Sequence, residues 1–157
     1  MSDVATVYYE CRQTSEADNL ESLSVLVAEA LSFPPLAFTG IRELIEFLFA
    51  QAKDKNITLV LDEYPYLRDA VKGLDSILQT SIDAHREDSR LNIVLCGSYV
   101  EIMKSLIEHE SPLYGRIDLA LELKPMDYFD AAKFYPAFSP EDKVRLYSVF
   151  WRYPLLQ

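Results

Sequence analysis

The sequence has no apolar run of the roughly 18–20 residues that a membrane-spanning helix needs, and its N-terminus has no signal-peptide pattern. Its two cysteines, Cys11 and Cys96, are too few and too far apart for a disulfide framework or a zinc site. Lysine and arginine are scattered in a chain of net charge −10, which disfavours direct contact with nucleic acid. These absences predict a cytoplasmic protein that binds neither membrane nor nucleic acid.

What the sequence does contain is typical of one α/β domain. Of its 157 residues, 50% are hydrophobic and 25% are charged, so a substantial core can form. Short β-type runs alternate with helical patterns, which indicates a parallel sheet with right-handed crossovers. The two middle runs are almost wholly apolar, as in strands buried on both faces of a sheet. The four β-type runs are Val4–Cys11, Ile57–Tyr64, Asn92–Ser98 and Leu119–Pro125.

Helix signals occupy the segments between and after these runs. Thr39 is the predicted N-cap of the second helix, and Asp127 the predicted cap of a short helix through Phe134. Ser139 followed by Pro140 and two acids predicts the start of a last helix. Apolar residues at helical spacing predict the other helices, at 20–31, 41–49, 74–84 and 102–107.

Two adjacent acids, Asp62 and Glu63, end the apolar run ITLVL. The carboxyl ends of parallel strands face the ligand crevice of an open sheet. This run has the form of a Walker B strand, in which the aspartate holds Mg²⁺ and the glutamate polarises the attacking water. Any buried strand can also end in acids, so both interpretations stay open at this point. Ser98 ends the next run, where a small polar side chain could reach a γ-phosphate or the water.

Longer stretches carry a family resemblance. LDEYPYL, NIVLCGSYVEIMKSLIEHESPLYGR and LALELKPMDYFDAAKFYP resemble the archaeal-type AAA-like ATPases, a branch of the P-loop NTPases related to the STAND signalling ATPases. VYYECRQTSEADNLESLSVLVAEAL is similar to the stretch after the family's phosphate-binding helix, and YSVFWRYPLLQ to its Gly-Gly-x-Pro-x-Tyr-Leu segment. The resemblance covers nearly the whole chain. It implies a partial ATPase α/β core over 1–125 and the start of a helical lid-like region over 126–157.

The resemblance also implies roles for four residues. Asp62 corresponds to the Walker B residue that holds Mg²⁺, and Glu63 to the catalytic glutamate. Ser98 occupies the position of the family's sensor residue. Arg116 corresponds to an arginine that contacts the γ-phosphate or a neighbouring subunit, although a surface arginine paired with a nearby acid is an equally good interpretation.

The family's phosphate loop, G-x-x-x-x-G-K-[ST], is absent from the sequence. Its four glycines, at 40, 73, 97 and 115, are not followed by Lys-Ser or Lys-Thr. No cofactor-binding residue is therefore predicted. ATP and Mg²⁺ are expected in the intact protein, and this chain alone is expected to be inactive. The abrupt ends of the sequence suggest a truncated domain.

The family's sheet order places the missing first strand between the third and fourth β-type runs. Its absence is expected to leave a slot with unpaired backbone groups, which folded proteins cover or pair. We expect self-association through this slot, with a sister chain filling it, or a shift of Leu119–Pro125 to pair with Asn92–Ser98.

Two alternatives belong to other functional classes. In a receiver-like domain Asp62 would be phosphorylated, with Ser98 and Lys124-Pro125 as its partners, but only Glu10 lies near the expected Mg²⁺ position. In a catalytically silent interaction module, the 10 tyrosines would supply contact surfaces, although half-buried rings that flank strands and helices explain them equally simply.

Overall fold

The computed structural model describes residues 4–150, which divide into two compact units at the boundary between Asp118 and Leu119. None of the helices in this range is long and apolar enough to cross a membrane. The first unit contains strands β1 (Ala5–Glu10), β2 (Ile57–Asp62) and β3 (Leu91–Leu95), and helices α1 (Glu16–Leu31), α2 (Ile41–Gln51), α3 (Tyr64–Ala70), α4 (Leu74–His85) and α5 (Val100–Ser105). The second contains α6 (Tyr128–Ala132) and α7 (Pro140–Phe150).

The three strands form a parallel sheet in the order β1-β2-β3. The register pairs Tyr8 with Val60 across the first junction and Leu59 with Ile93 across the second. Helices connect each strand to the next, as parallel pairing requires. The predicted α/β class with a parallel sheet, flanking helices and a helical C-terminal portion is confirmed.

The two faces of this sheet differ sharply. On one face Val7, Leu59 and Leu61 are buried in a core shared with α1, α2, α3 and α4. On the other face Tyr8 is 53% exposed and Val94 is 42% exposed. The prediction of strands buried on both faces is therefore wrong, because the core helices of the described chain cover only the first face.

Local signals explain most helix boundaries. Ser15 caps α1, its hydroxyl accepting from the backbone N–H of Asp18, and Asp127 caps α6 in the same way. Ser139 caps α7 through the N–H of Asp142, as predicted. Thr39 was predicted to cap α2, but Gly40 occupies that position. Thr39 instead donates its N–H and hydroxyl to one oxygen of Glu43, at 2.7 and 2.8 Å.

The predicted fourth strand does not form. Residues 119–127 lie in no helix or strand, and the side chains of Leu119, Leu121 and Leu123 are 81%, 75% and 85% exposed. A strand gains its backbone hydrogen bonds from a neighbour, and the sheet of the described residues ends at β3. The alternating sequence of 119–125 is strand-like, but the segment pairs with no strand among residues 4–150.

Two other predictions need correction. The apolar run that begins at Ile57 predicts a strand as far as Tyr64, but the strand ends at Asp62 and α3 begins at Tyr64. Pro65, in the first turn of α3, is a helix-start signal that the strand interpretation overlooked. The helix predicted over 102–107 spans Val100–Ser105. The final segment, 151–157, lies outside the described residues.

Candidate functional site

The carboxyl ends of β2 and β3 lie together at the start of α3. We call this place, with Asp62, Glu63 and Ser98, the corner. Asp62 is the last residue of β2, and Glu63 stands at the N-cap of α3. The backbone N–H of Tyr64 donates to the carbonyl of Cys96 at 2.9 Å, so the loop after β3 is fixed to the start of α3. This contact places Asp62, Glu63 and Ser98 at the same edge of the sheet.

Both carboxylate oxygens of Asp62 accept hydrogen bonds within the chain. The Tyr8 hydroxyl donates to Oδ2 at 2.6 Å, and the backbone N–H of Glu63 donates to Oδ1 at 3.0 Å. Tyr8 reaches Asp62 because the parallel register places both on the poorly covered face of the sheet. The carboxylate is therefore held in a defined orientation.

The Asp62 carboxylate also changes the acidity of Tyr8. Its hydrogen bond to the phenol is the main reason that the pKa of Tyr8 rises to about 12. Because the pKa of Tyr8 is higher in the folded state, this hydrogen bond stabilises the folded protein at pH values below the ordinary tyrosine pKa. The stabilisation is lost as the pH rises through the folded-state pKa of Tyr8.

Substitution of Asp62→Asn is expected to lower the Tyr8 pKa toward its ordinary value of 10.0, because the neutral amide accepts more weakly and carries no charge. The measurement is an NMR pH titration with ring-labelled tyrosine, in which Tyr8→Phe assigns the resonance. Asp69→Asn, an exposed acid on α3, is the matched control. A Tyr8 pKa that is the same in Asp62→Asn and the unaltered chain would show that this hydrogen bond does not persist in solution.

Glu63 and Ser98 are brought into direct contact. The N–H and hydroxyl of Ser98 both donate to Oε2 of Glu63, at 3.3 and 3.1 Å. Glu63 has a left-handed backbone with φ 49, which is uncommon for a residue with a side chain. Strained backbone of this kind is concentrated at functional sites. The structure thus pairs two predicted catalytic residues and orients one with the other.

Gly97 allows the two loops to pack closely. A Cβ at this position would lie 2.7 Å from Cδ of Pro65 and 3.0 Å from the sulfur of Met103. The rigid proline ring cannot give way easily, so a side chain here would push Ser98 away from α3. The glycine is therefore required by the close approach of the loop to α3.

Arg116 makes its contacts at a different place. Its guanidinium forms two hydrogen bonds with Asp83, at 2.8 and 2.6 Å, and also donates to the carbonyls of Pro112 and Tyr114. Asp83 lies near the end of α4, the helix that returns from the carboxyl end of β2 to the start of β3. The pairing matches the alternative interpretation of Arg116 as an ion-paired surface residue. A role at a phosphate or a subunit contact stays a prediction.

The carboxylate oxygens at the corner suit a magnesium ion that arrives bound to a nucleotide. Among residues 4–150 there is no group of three or more histidine, cysteine, aspartate or glutamate side chains that could hold a metal ion. Mg²⁺ commonly binds through one or two carboxylates, with phosphate oxygens and water completing its octahedron. Asp62 can supply one such carboxylate, so the residues fit a shared metal and not a metal site built by the protein alone.

Tyr8 is the functional-site neighbour that sequence reasoning missed. The signal was available in the alternation of β1, which predicts that Tyr8 and Val7 face opposite sides. Only the register of β1 against β2 shows that Tyr8 shares its face with Asp62. Register between distant strands is not encoded by either strand separately.

Comparison with known proteins indicates an ATPase fold. The chain superposes on the Walker-type ATPase paby2304 of Pyrococcus abyssi with a TM-score of 0.61 and 19% identity, over 91% of this chain and 51% of that one. No protein-family model matches the sequence.

Two curated relatives come from Methanocaldococcus jannaschii. The uncharacterized protein MJECL04 is 30% identical over 103 residues, which are 65% of this chain and 23% of that protein. The uncharacterized protein MJ0424 is 32% identical over 59 residues, 38% of this chain and 57% of that protein. The chain thus spans less than a quarter of MJECL04 and somewhat more than half of MJ0424.

Proposed function

We propose that this chain is part of an AAA-type P-loop ATPase, related to the STAND branch, and that it contributes the Walker B strand and the sensor residue. The observation that carries the proposal is the contact between Glu63 and Ser98 beside Asp62, at the carboxyl edge of a parallel sheet. The fold that this chain shares with a Walker-type ATPase over 91% of its length supports the same conclusion.

Each residue of the corner has a distinct task in this proposal. Asp62 would hold the Mg²⁺ of the nucleotide, and its carboxylate is oriented by hydrogen bonds from Tyr8 and from the Glu63 N–H. Glu63 accepts a proton from the water that attacks the γ-phosphorus. Ser98 holds the Glu63 carboxylate through its N–H and hydroxyl, and in this proposal the hydroxyl would also contact a phosphate oxygen. A bound Mg²⁺ would supply charge neutralisation at the phosphates.

ATP hydrolysis would be an activity of the intact protein and not of this segment alone. The sequence has no G-x-x-x-x-G-K-[ST] loop, whose backbone N–H groups and lysine cradle the phosphates of a bound nucleotide. Carboxylates alone repel a triphosphate. We therefore propose that nucleotide binds only when a phosphate-binding segment is supplied. The cytoplasmic location stays a prediction.

The test is Mg-ATP binding by calorimetry, with this chain beside a version that includes any phosphate loop encoded upstream. We expect binding by the extended form alone, weakened strongly by Asp62→Ala and unaffected by the control Asp69→Ala on α3. Tight binding by the short chain would mean that the nucleotide site is built differently. An extended form that carries the loop and still fails to bind would refute the ATPase proposal.

The receiver-like alternative has less support. A receiver has the sheet order 2-1-3-4-5, and along its chain a second strand follows the first and precedes the one that ends in the phosphorylated aspartate. Between Glu10 and Ile57 this chain has α1 and α2 and no strand. A silent interaction module remains compatible with the ATPase proposal, since a partial ATPase core can act as a binding surface.

A further inference from the structure

Arg12 lies at the carboxyl edge of the sheet, beside the corner. The residue before it, Cys11, follows the end of β1 directly and donates its backbone N–H to the carbonyl of Asp62 at 2.7 Å. The contact between β1 and β2 thus continues as far as the acid that ends β2. Arg12 therefore stands one residue beyond a direct backbone contact with Asp62.

The charge of Arg12 is opposite to that of the corner. Three loops follow the carboxyl ends of the strands, at 11–15, 63 and 96–99, and all three lie in the described part of the chain. Arg12 is the only lysine or arginine in these loops, whereas Asp62 and Glu63 bring two acids to the same edge. Those acids repel the phosphates of a nucleotide. A cation in the adjoining loop offsets part of this repulsion.

The side chain of Arg12 is open to a ligand. It is exposed, and it forms no hydrogen bond or ion pair with the residues that the structure describes. The guanidinium groups of Arg68 and Arg116, by contrast, are each held by an aspartate. An anion that binds Arg12 has no such internal ion pair to replace.

The backbone of Arg12, unlike its side chain, is firmly held. Asn19 of α1 is fully buried, and its side-chain amide accepts from the Arg12 N–H at 3.0 Å and donates to the Arg12 carbonyl at 3.1 Å. The Tyr9 hydroxyl donates to the same amide oxygen at 2.6 Å. A buried amide is thus used to fix the loop beside the corner, so less backbone freedom is lost when a ligand binds there.

We propose that Arg12 contacts the γ-phosphate of a nucleotide bound at the corner. The inference rests on the ATPase function proposed above. In that proposal Glu63 takes a proton from the water that attacks the γ-phosphorus, so the γ-phosphate is the phosphate group nearest the corner. A planar guanidinium can donate two parallel hydrogen bonds to phosphate oxygens and stays charged at physiological pH. Arg12 would therefore favour ATP over ADP.

Calorimetry on the extended form, with ADP and with an ATP analogue whose β–γ bridge cannot be hydrolysed, tests this inference. Arg12→Ala is expected to weaken binding of the analogue by about tenfold or more, the usual worth of a hydrogen bond to a charged group, and to change ADP binding by less than about twofold. Arg12→Lys should restore part of the loss, because lysine keeps the charge without the paired geometry. Arg90→Ala is the matched control, since Arg90 is an exposed arginine at the opposite, amino end of β3.

The outcomes separate this inference from the ATPase proposal. If the extended form binds the analogue and Arg12→Ala binds it equally well, Arg12 does not contact the γ-phosphate and this inference alone fails. Equal weakening of analogue and ADP would mean that Arg12 supports only the structure of the loop, which also overturns the inference. If the extended form binds neither nucleotide, the ATPase proposal is itself refuted, and the role of Arg12 is refuted with it.

Discussion

In the intact ATPase that we propose, Glu63→Gln is expected to lower the rate of ATP hydrolysis by about 10²–10⁴-fold, the usual contribution of a general base. The amide keeps the size of the side chain and can still accept from the Ser98 N–H and hydroxyl, which reach Oε2 at 3.3 and 3.1 Å. It cannot take a proton from water. The loss should therefore appear in turnover, with little change in Mg-ATP affinity.

This experiment separates a chemical role of Glu63 from a structural one. Steady-state phosphate release gives turnover, and calorimetry on the same preparations gives affinity. Glu21→Gln, an exposed glutamate on α1, is the matched control and should retain full activity. Equal losses of turnover and affinity would contradict the role of general base, as would a turnover that does not fall.

Leu59→Ala is expected to destabilise the fold by about 2–5 kcal/mol, the range found for buried leucines. Leu59 lies at the centre of β2, is 0% exposed and faces the core helices. Its neighbour Val60 points to the poorly covered face and is half-buried. Val60→Ala should cost about 1 kcal/mol or less, because few of its atoms lose contacts.

Urea unfolding of the two variants tests the asymmetry of the sheet. Both should be measured at the same low protein concentration, so that association does not contribute to apparent stability. A shift of the midpoint with an unchanged m-value indicates a true stability difference. If Val60→Ala costs as much as Leu59→Ala, the second face of the sheet is covered in solution and our description of it is incorrect.

The elements that could be predicted from the sequence are those with local causes. Asp127 and Ser139, both predicted as caps, accept from the backbone N–H three residues further along the chain. The strands β1, β2 and β3 follow from short apolar runs, and the apolar stripe of α1 from helical spacing. That Glu63 and Ser98 lie at the same edge follows from the rule that parallel strands end at a common edge, whereas their direct contact is known only from the structure.

The features that could not be predicted depend on contacts with residues far away in the sequence, or on whether another element lies beside them. Whether 119–125 forms a strand depends on a partner for its backbone, which the alternating sequence does not specify. Burial of Val60 and Val94 depends on whether another element covers their face. The Tyr8–Asp62 hydrogen bond depends on inter-strand register, and the Arg116–Asp83 pair on the packing of a loop against α4.

The close packing at Gly97 has a consequence for motion. Pro65 rests against the glycine backbone, the Tyr64 N–H bonds the Cys96 carbonyl, and Ser98 bonds Glu63, so three contacts join the same two loops. Tyr64 and Arg68 then both bond Asp75, which connects α3 to α4. Opening one loop breaks contacts of the other, and the two should therefore exchange amide hydrogens with solvent as a single cooperative unit.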